Sequence, residues 1–228
     1  MNELEKIYGI KIDNPDYFKI ALTHPSYTQE KELPYNMNYE RLEFLGDAVL
    51  KLVSSQILFE KYPDYTEGEM SKIRSIIVSD STLSKIACEV GLNNLIKASS
   101  HDEKQGIKKV ESVCACAFEA VLGAFYLDGK LNGVKEFLKK VLMPYIEEVE
   151  NNFARYNAKA ILQEYTQSVN KKTPVYEVVS SSGPQHNKTF VVEVSFQDEV
   201  VAKGEGKSKK DAEQHAAYEA CKKLGVIE

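Results

Sequence analysis

The chain has 228 residues and a formal net charge of −5, enough length for one large domain or two small ones. A hydrophobic fraction of 43% beside 28% charged residues excludes wholesale disorder. No uncharged apolar run reaches the ~18 residues of a membrane span, because Glu119 interrupts the best candidate. Cys88, Cys114, Cys116 and Cys221 form no CxxC pair, which counts against a zinc or thioredoxin-like site. The N-terminal stretch MNELEKIYGIKID lacks an apolar signal core, so a cytoplasmic protein with no membrane partner is expected.

In chain order, helical spacing and apolar runs predict helices over 37–62, 68–79, 80–90, 110–127 and 131–150. Two starts carry capping chemistry, Thr66-Glu67-Gly68-Glu69 and Asp80-Ser81-Thr82. Residues 150–157 read as a short polar linker. Beyond it comes a helix over 158–169, then strands over 174–179 and 189–194 around a turn at Ser182-Gly183-Pro184. A third strand, 198–204, precedes a closing helix, 208–224. The expected architecture is multi-domain: an all-α part over 1–149, a linker over 150–157, and a small α+β domain over 158–226 in the order α-β-β-β-α. Charge divides with it. Residues 1–150 hold 18 Lys+Arg against 24 Asp+Glu, a balance of −6, whereas 151–228 hold 11 and 10, a balance of +1.

The most informative stretch is 38–50. At about 100° per residue, Glu40, Glu43 and Asp47 fall in a narrow sector of a helix that is otherwise apolar almost all round. Like charges at these spacings oppose a helix by a few tenths of a kcal/mol per pair. Burying them costs several kcal/mol per ion without a cation. A solvated face with Arg41 and Lys51 as partners is one reading, and Lys51 is well placed four residues beyond Asp47. One lysine, however, cannot neutralise three carboxylates. Glu119 is the only charge between Ser112 and Leu127, and a lone glutamate among apolar residues must be protonated or paired. The small residues Ala115, Ala120, Gly123 and Ala124 would let its helix approach the first, bringing Glu119 near Glu43 and Asp47. Such hard oxygen donors suit Mg²⁺ or Mn²⁺. Glu67 is a candidate for the same acidic valley, where a cation could activate a water and stabilise a phosphate leaving group.

These residues carry a resemblance. The run Tyr39 to Leu50, YERLEFLGDAVL, resembles the signature of ribonuclease III, the double-stranded-RNA endonuclease family. Leu22-Thr23-His24-Pro25-Ser26-Tyr27, the stretch from Glu67 to Val78 and the run Glu119 to Gly129 resemble further family segments in the expected order, and the tail is similar to a double-stranded-RNA-binding domain. The resemblance implies an all-helical catalytic domain that forms a homodimer, uses Mg²⁺ with Mn²⁺ as a substitute, and needs no organic cofactor. It implies hydrolysis of duplex RNA to 5′-phosphate and 3′-hydroxyl ends, in ribosomal and messenger RNA processing. Glu43, Asp47 and Glu119 match the family's metal site, where the cation would position a water for in-line attack. Glu40 and Glu67 match two more catalytic carboxylates, and Phe44 matches the aromatic at the dimer interface. One position departs. Where the family has an aspartate three residues before the glutamate, this chain has Cys116, a soft and mostly protonated donor ill suited to Mg²⁺. Either Cys116 is a small buried neighbour or the metal site is weakened; the alternative function is a catalytically impaired, dimeric duplex-RNA-binding protein.

In the tail, Lys207, Lys209 and Lys210 cluster at the start of the last predicted helix, with Ser208 as its cap. Ammonium groups and helix dipole there would both favour phosphate. Duplex RNA is read by shape through phosphate and 2′-hydroxyl contacts. His186, in the Gly183-Pro184-Gln185-His186 loop, is a candidate for the minor groove. By resemblance, Gln163 and Glu164 are the contacts from the domain's first helix.

Overall fold

A computed structural model describes residues 2–183 and 188–227. The chain divides into two compact units, Met1–Glu148 and Val149–Glu228.

The first unit is helical. Three short helices open it: α1 (Asn2–Tyr8), α2 (Pro15–Ala21) and α3 (Pro25–Glu30). Helical periodicity predicted none of them, although Asn14-Pro15 and His24-Pro25 carry the signal and the resemblance implied a helix end at Leu22–Tyr27. In each pair Pro takes the first helical position, where its missing N–H costs nothing. The preceding side chain caps the helix: Asn14 Oδ1 accepts from Asp16 N at 3.1 Å, and His24 Nδ1 from Ser26 N at 3.1 Å. The long helix α4 (Glu40–Lys61) follows, with Asn38 Oδ1 accepting from Glu40 N at 3.0 Å. The helix α5 (Glu67–Ile77) starts in a complete capping box between Thr66 and Glu69. The helix α6 (Asp80–Glu89) is capped one residue earlier than expected, by Ser79 rather than Asp80. Then come α7 (Ser100–Lys104), α8 (Glu111–Leu127) and α9 (Leu131–Asn151).

The core of this unit is the crossing of α4 and α8. Apolar nearly all round, α8 is buried from Val113 to Phe125 except at Cys116 and Glu119. At the crossing the two backbones touch. A Cβ on Gly46 would stand 1.7 Å from the Glu119 carbonyl oxygen, and one on Gly123 2.3 Å from that of Leu42. Only glycine fits either position. Around the far end of α8, Phe125 packs against Tyr8 and Phe18 at centroid distances of 5.0 and 4.6 Å.

The second unit holds a one-turn helix α10 (Phe153–Tyr156), then α11 (Ala158–Asn170), β1 (Val175–Ser182), β2 (Thr189–Phe196), β3 (Glu199–Gly206) and α12 (Lys209–Lys223). The expected α-β-β-β-α order is present from α11 onward. The sheet is antiparallel in the order β1-β2-β3. Gln197 and Asp198, at φ of +57° and +64°, form the two-residue turn between β2 and β3, the left-handed pair that a tight hairpin requires. Leu162, Val192 and Val194 meet Ala212, Ala216 and Ala217 in its core. Among the described residues, no helix is long and apolar enough to cross a membrane.

Candidate functional site

The Gly46–Gly123 crossing sets Glu119 of α8 beside the carboxylates of α4. Glu40, Glu43, Asp47 and Glu119 line one cavity of about 610 Å³, together with Phe44, Lys51, Val78 and Asp80. Lys51 Nζ lies 2.8 Å from Asp47 Oδ2, the i,i+4 pairing that the spacing suggested. It is the only cationic side chain on that wall among the described residues. The imbalance is felt most by Glu119, whose carboxyl is pushed up to about 8. Burial is the main cause, followed by the negative charges of Asp47, Glu43 and Asp80, with Lys51 acting the other way.

Cys116 is not part of the cavity lining. It sits half-buried behind Glu43, its thiol pushed up to about 12 by burial first and then by a hydrogen bond to Glu43 and the surrounding carboxylates. The thiol therefore stays protonated at neutral pH and donates to the Glu43 carboxylate. On its other side the Tyr39 hydroxyl engages Cys116, and burial raises the Tyr39 pKa. The Tyr39 ring is itself held edge-on by His24, centroid to centroid 5.7 Å. Tyr39, Cys116 and Glu43 are thus electrostatic neighbours at the edge of the acidic cavity.

The donor set fits a hard divalent cation. It is all oxygen, it comes from several helices, and it carries an excess of negative charge that one ammonium leaves uncompensated. Among the described residues, no three His, Cys, Asp or Glu side chains already form a closed ion cage, so binding would draw these carboxylates inward. Glu67 is elsewhere. It lines a separate cavity of about 500 Å³ with Leu52, Phe59 and Met70, and its Oε1 accepts from Ser71 Oγ at 2.7 Å. Phe44 is 82% exposed and takes no part in the core of its own chain.

In the second unit, Ser208 Oγ accepts from Asp211 N at 3.1 Å and Asp211 Oδ2 accepts from Lys207 N at 3.0 Å. That reciprocal cap leaves the side chains of Lys207, Lys209 and Lys210 exposed. Gln163 and Glu164 are exposed on α11, opposite the buried Leu162 and Thr166. His186 lies outside the described residues.

A family model described as Ribonuclease-III-like matches residues 14–146, more than half of the chain. The chain belongs to the ribonuclease III family. A second model, Double-stranded RNA binding motif, matches residues 158–224. A ribonuclease 3 of Bdellovibrio bacteriovorus is 41% identical over 95% of this chain and 93% of its own length. One from Streptococcus pyogenes is 40% identical over the whole of both chains. Among solved structures, the nuclease domain of ribonuclease III from Campylobacter jejuni matches with a TM-score of 0.54 and 35% identity, over 64% of this chain and 95% of that one. That structure is described as showing flexibility in a region involved in dimer formation.

This ribonuclease III is thus a nuclease with a double-stranded-RNA-binding motif. Of the carboxylates singled out by sequence, its structure gathers Glu40, Glu43, Asp47 and Glu119 and sets Glu67 apart. It adds Asp80, which sequence reasoning took for a helix-start residue only. The available signal was that Ser79, one position earlier, is an equally good cap and frees the aspartate for other work.

Proposed function

We propose that the cavity walled by Glu40, Glu43, Asp47 and Glu119 is the catalytic centre of an endoribonuclease that hydrolyses phosphodiesters in double-stranded RNA, and that it works with Mg²⁺, or Mn²⁺ in its place. The observation carrying this reading is the convergence of carboxylates from α4 and α8 around a half-buried glutamate beside which, among the described residues, Lys51 is the only cation lining the cavity. Glu43, Asp47 and Glu119 would hold the cation. When bound, it supplies neutralisation of the scissile phosphate and a more acidic attacking water. Asp47 and Glu119 stand as acceptors for the proton the water loses. Attack in line with the 3′-oxygen forms one P–O bond and breaks another, and the departing oxygen takes a proton. The products are 5′-phosphate and 3′-hydroxyl ends, as ribosomal and messenger RNA processing requires.

We assign the first unit to catalysis and dimerisation and the second to duplex binding through Gln163, Glu164, Lys207, Lys209 and Lys210. Dimerisation through Phe44 is supported by exposed apolar side chains along α4, with Leu52 and Phe59 at 58% and 72% exposure. Glu67, outside the acidic cavity of its own chain, is proposed as a further contributor to catalysis in the assembled enzyme. A gel assay on a perfect RNA duplex tests the reading. Cleavage that needs Mg²⁺ or Mn²⁺ and is abolished by Glu119→Gln, with duplex binding retained, is the expected result. Binding without cleavage in either metal would instead make the chain a duplex-RNA-binding platform.

A further inference from the structure

Asp80 is the one carboxylate of the acidic cavity that comes from neither α4 nor α8. An aspartate in the first turn of a helix usually has a sufficient explanation in the helix dipole. Here that explanation leaves two facts over. The capping duty is already discharged by Ser79, whose Oγ accepts from Thr82 N at 3.4 Å and donates to Ile76 O at 2.8 Å. And the Asp80 carboxylate faces a cavity already rich in negative charge, where, among the described residues, no side-chain hydrogen bond or ion pair engages it.

The opposite deficiency lies on α8. That helix gives the cavity a single carboxylate, Glu119, the one α8 residue in its lining. The helices α6 and α8 pack against each other, so Asp80 reaches the space in front of Glu119 from a third element. A hard cation with six or more oxygen ligands is best held from several sides, and α4 and α8 alone supply two.

Resting on the reading of this cavity as a divalent-cation site, we infer that Asp80 is a metal-site residue of this chain, adding from α6 a third side to the carboxylates of α4 and α8.

The test is a calorimetric titration of the full chain with Mn²⁺ alone, with no RNA present. Asp80→Asn and Glu119→Gln are each expected to weaken Mn²⁺ binding at least fivefold. Circular dichroism melts in chelator establish that each variant is folded, and Asp80→Ser serves as a second variant should Asp80→Asn not be. Asp80→Asn binding Mn²⁺ within twofold of the parent, while Glu119→Gln is weakened, would overturn the inference and leave the cation site standing. A parent chain that binds no Mn²⁺ at all would remove the cation site, and this inference with it.

Discussion

Gly46 of α4 rests directly on the backbone of Glu119 in α8, so closely that a Cβ at Gly46 would overlap the Glu119 carbonyl oxygen at 1.7 Å. The contact joins stability to chemistry, because the residue that Gly46 touches is also the one that completes the acidic cavity. Gly46→Ala must push the two helices apart, since neither backbone can yield locally. Overpacking of this kind costs about 1–3 kcal/mol, occasionally more, and a backbone obstacle puts this site at the upper end. Urea unfolding should report that loss. Cleavage should fall further than the loss of folded protein accounts for, as Glu119 shifts away from Glu43 and Asp47.

The raised pKa of Glu119 makes the metal-free enzyme sensitive to alkali. Its carboxyl titrates near 8 in the folded chain and in the ordinary carboxylate range when unfolded. The folded state therefore binds the proton more tightly between those two values. The stability this contributes is fully present below the unfolded pKa and is lost as pH rises through about 8. In chelator, the melting temperature should fall between pH 6 and pH 9, and Glu119→Gln should remove much of that fall. A cation competes for the same carboxylate. Mn²⁺ affinity should therefore weaken by up to about tenfold per unit as pH drops below 8. An affinity flat across pH 6–9 would disprove the coupling.

Phe44 projects from the rim of the same cavity and is 82% exposed. A large aromatic anchor buried in an interface commonly contributes 2 kcal/mol or more. Phe44→Ala should therefore raise the dimer dissociation constant by about thirtyfold or more, read by sedimentation equilibrium. A chain that remains equally dimeric would exclude Phe44 as an anchor.

The lysines at the head of α12 should act as phosphate contacts. Replacing Lys209 or Lys210 by alanine should weaken duplex binding alike for unrelated sequences. Each should also reduce the slope of log K against log salt by about one. Both side chains are exposed, so thermal stability should hardly change. Loss of affinity for one RNA sequence only would contradict this assignment.

How far the sequence could be read depended on the range of the interactions involved. The helices α4, α5, α8 and α9 were legible because period and local caps set them, and the Thr66–Glu69 box appears as written in the chain. The closeness of α4 and α8 was half legible. Gly123 and its small neighbours suggested it, but the matching Gly46 lay inside a signature read for its charges. Helices α1, α2 and α3 were missed because six or seven residues give too few turns for a period to show. Asp80 was misread for a different reason. Its meaning depends on a cavity whose other carboxylates lie 33 or more positions away along the chain, and no local pattern encodes that. The position of Cys116 behind Glu43, rather than in the cavity, is tertiary in the same way.

The strand-to-helix seam of the second unit has a consequence for binding. A Cβ on Gly204 or Gly206 would meet the α12 backbone at 2.1 or 2.4 Å, so at these two positions β3 and α12 are in direct backbone contact. Glu205 N donates to His215 Nδ1 at 3.1 Å and ties the same seam. The helix start that carries the lysines therefore has no room to slide or roll. Its backbone geometry is set before a duplex arrives, so on this part of the surface the entropy lost on binding is confined to the lysine side chains themselves.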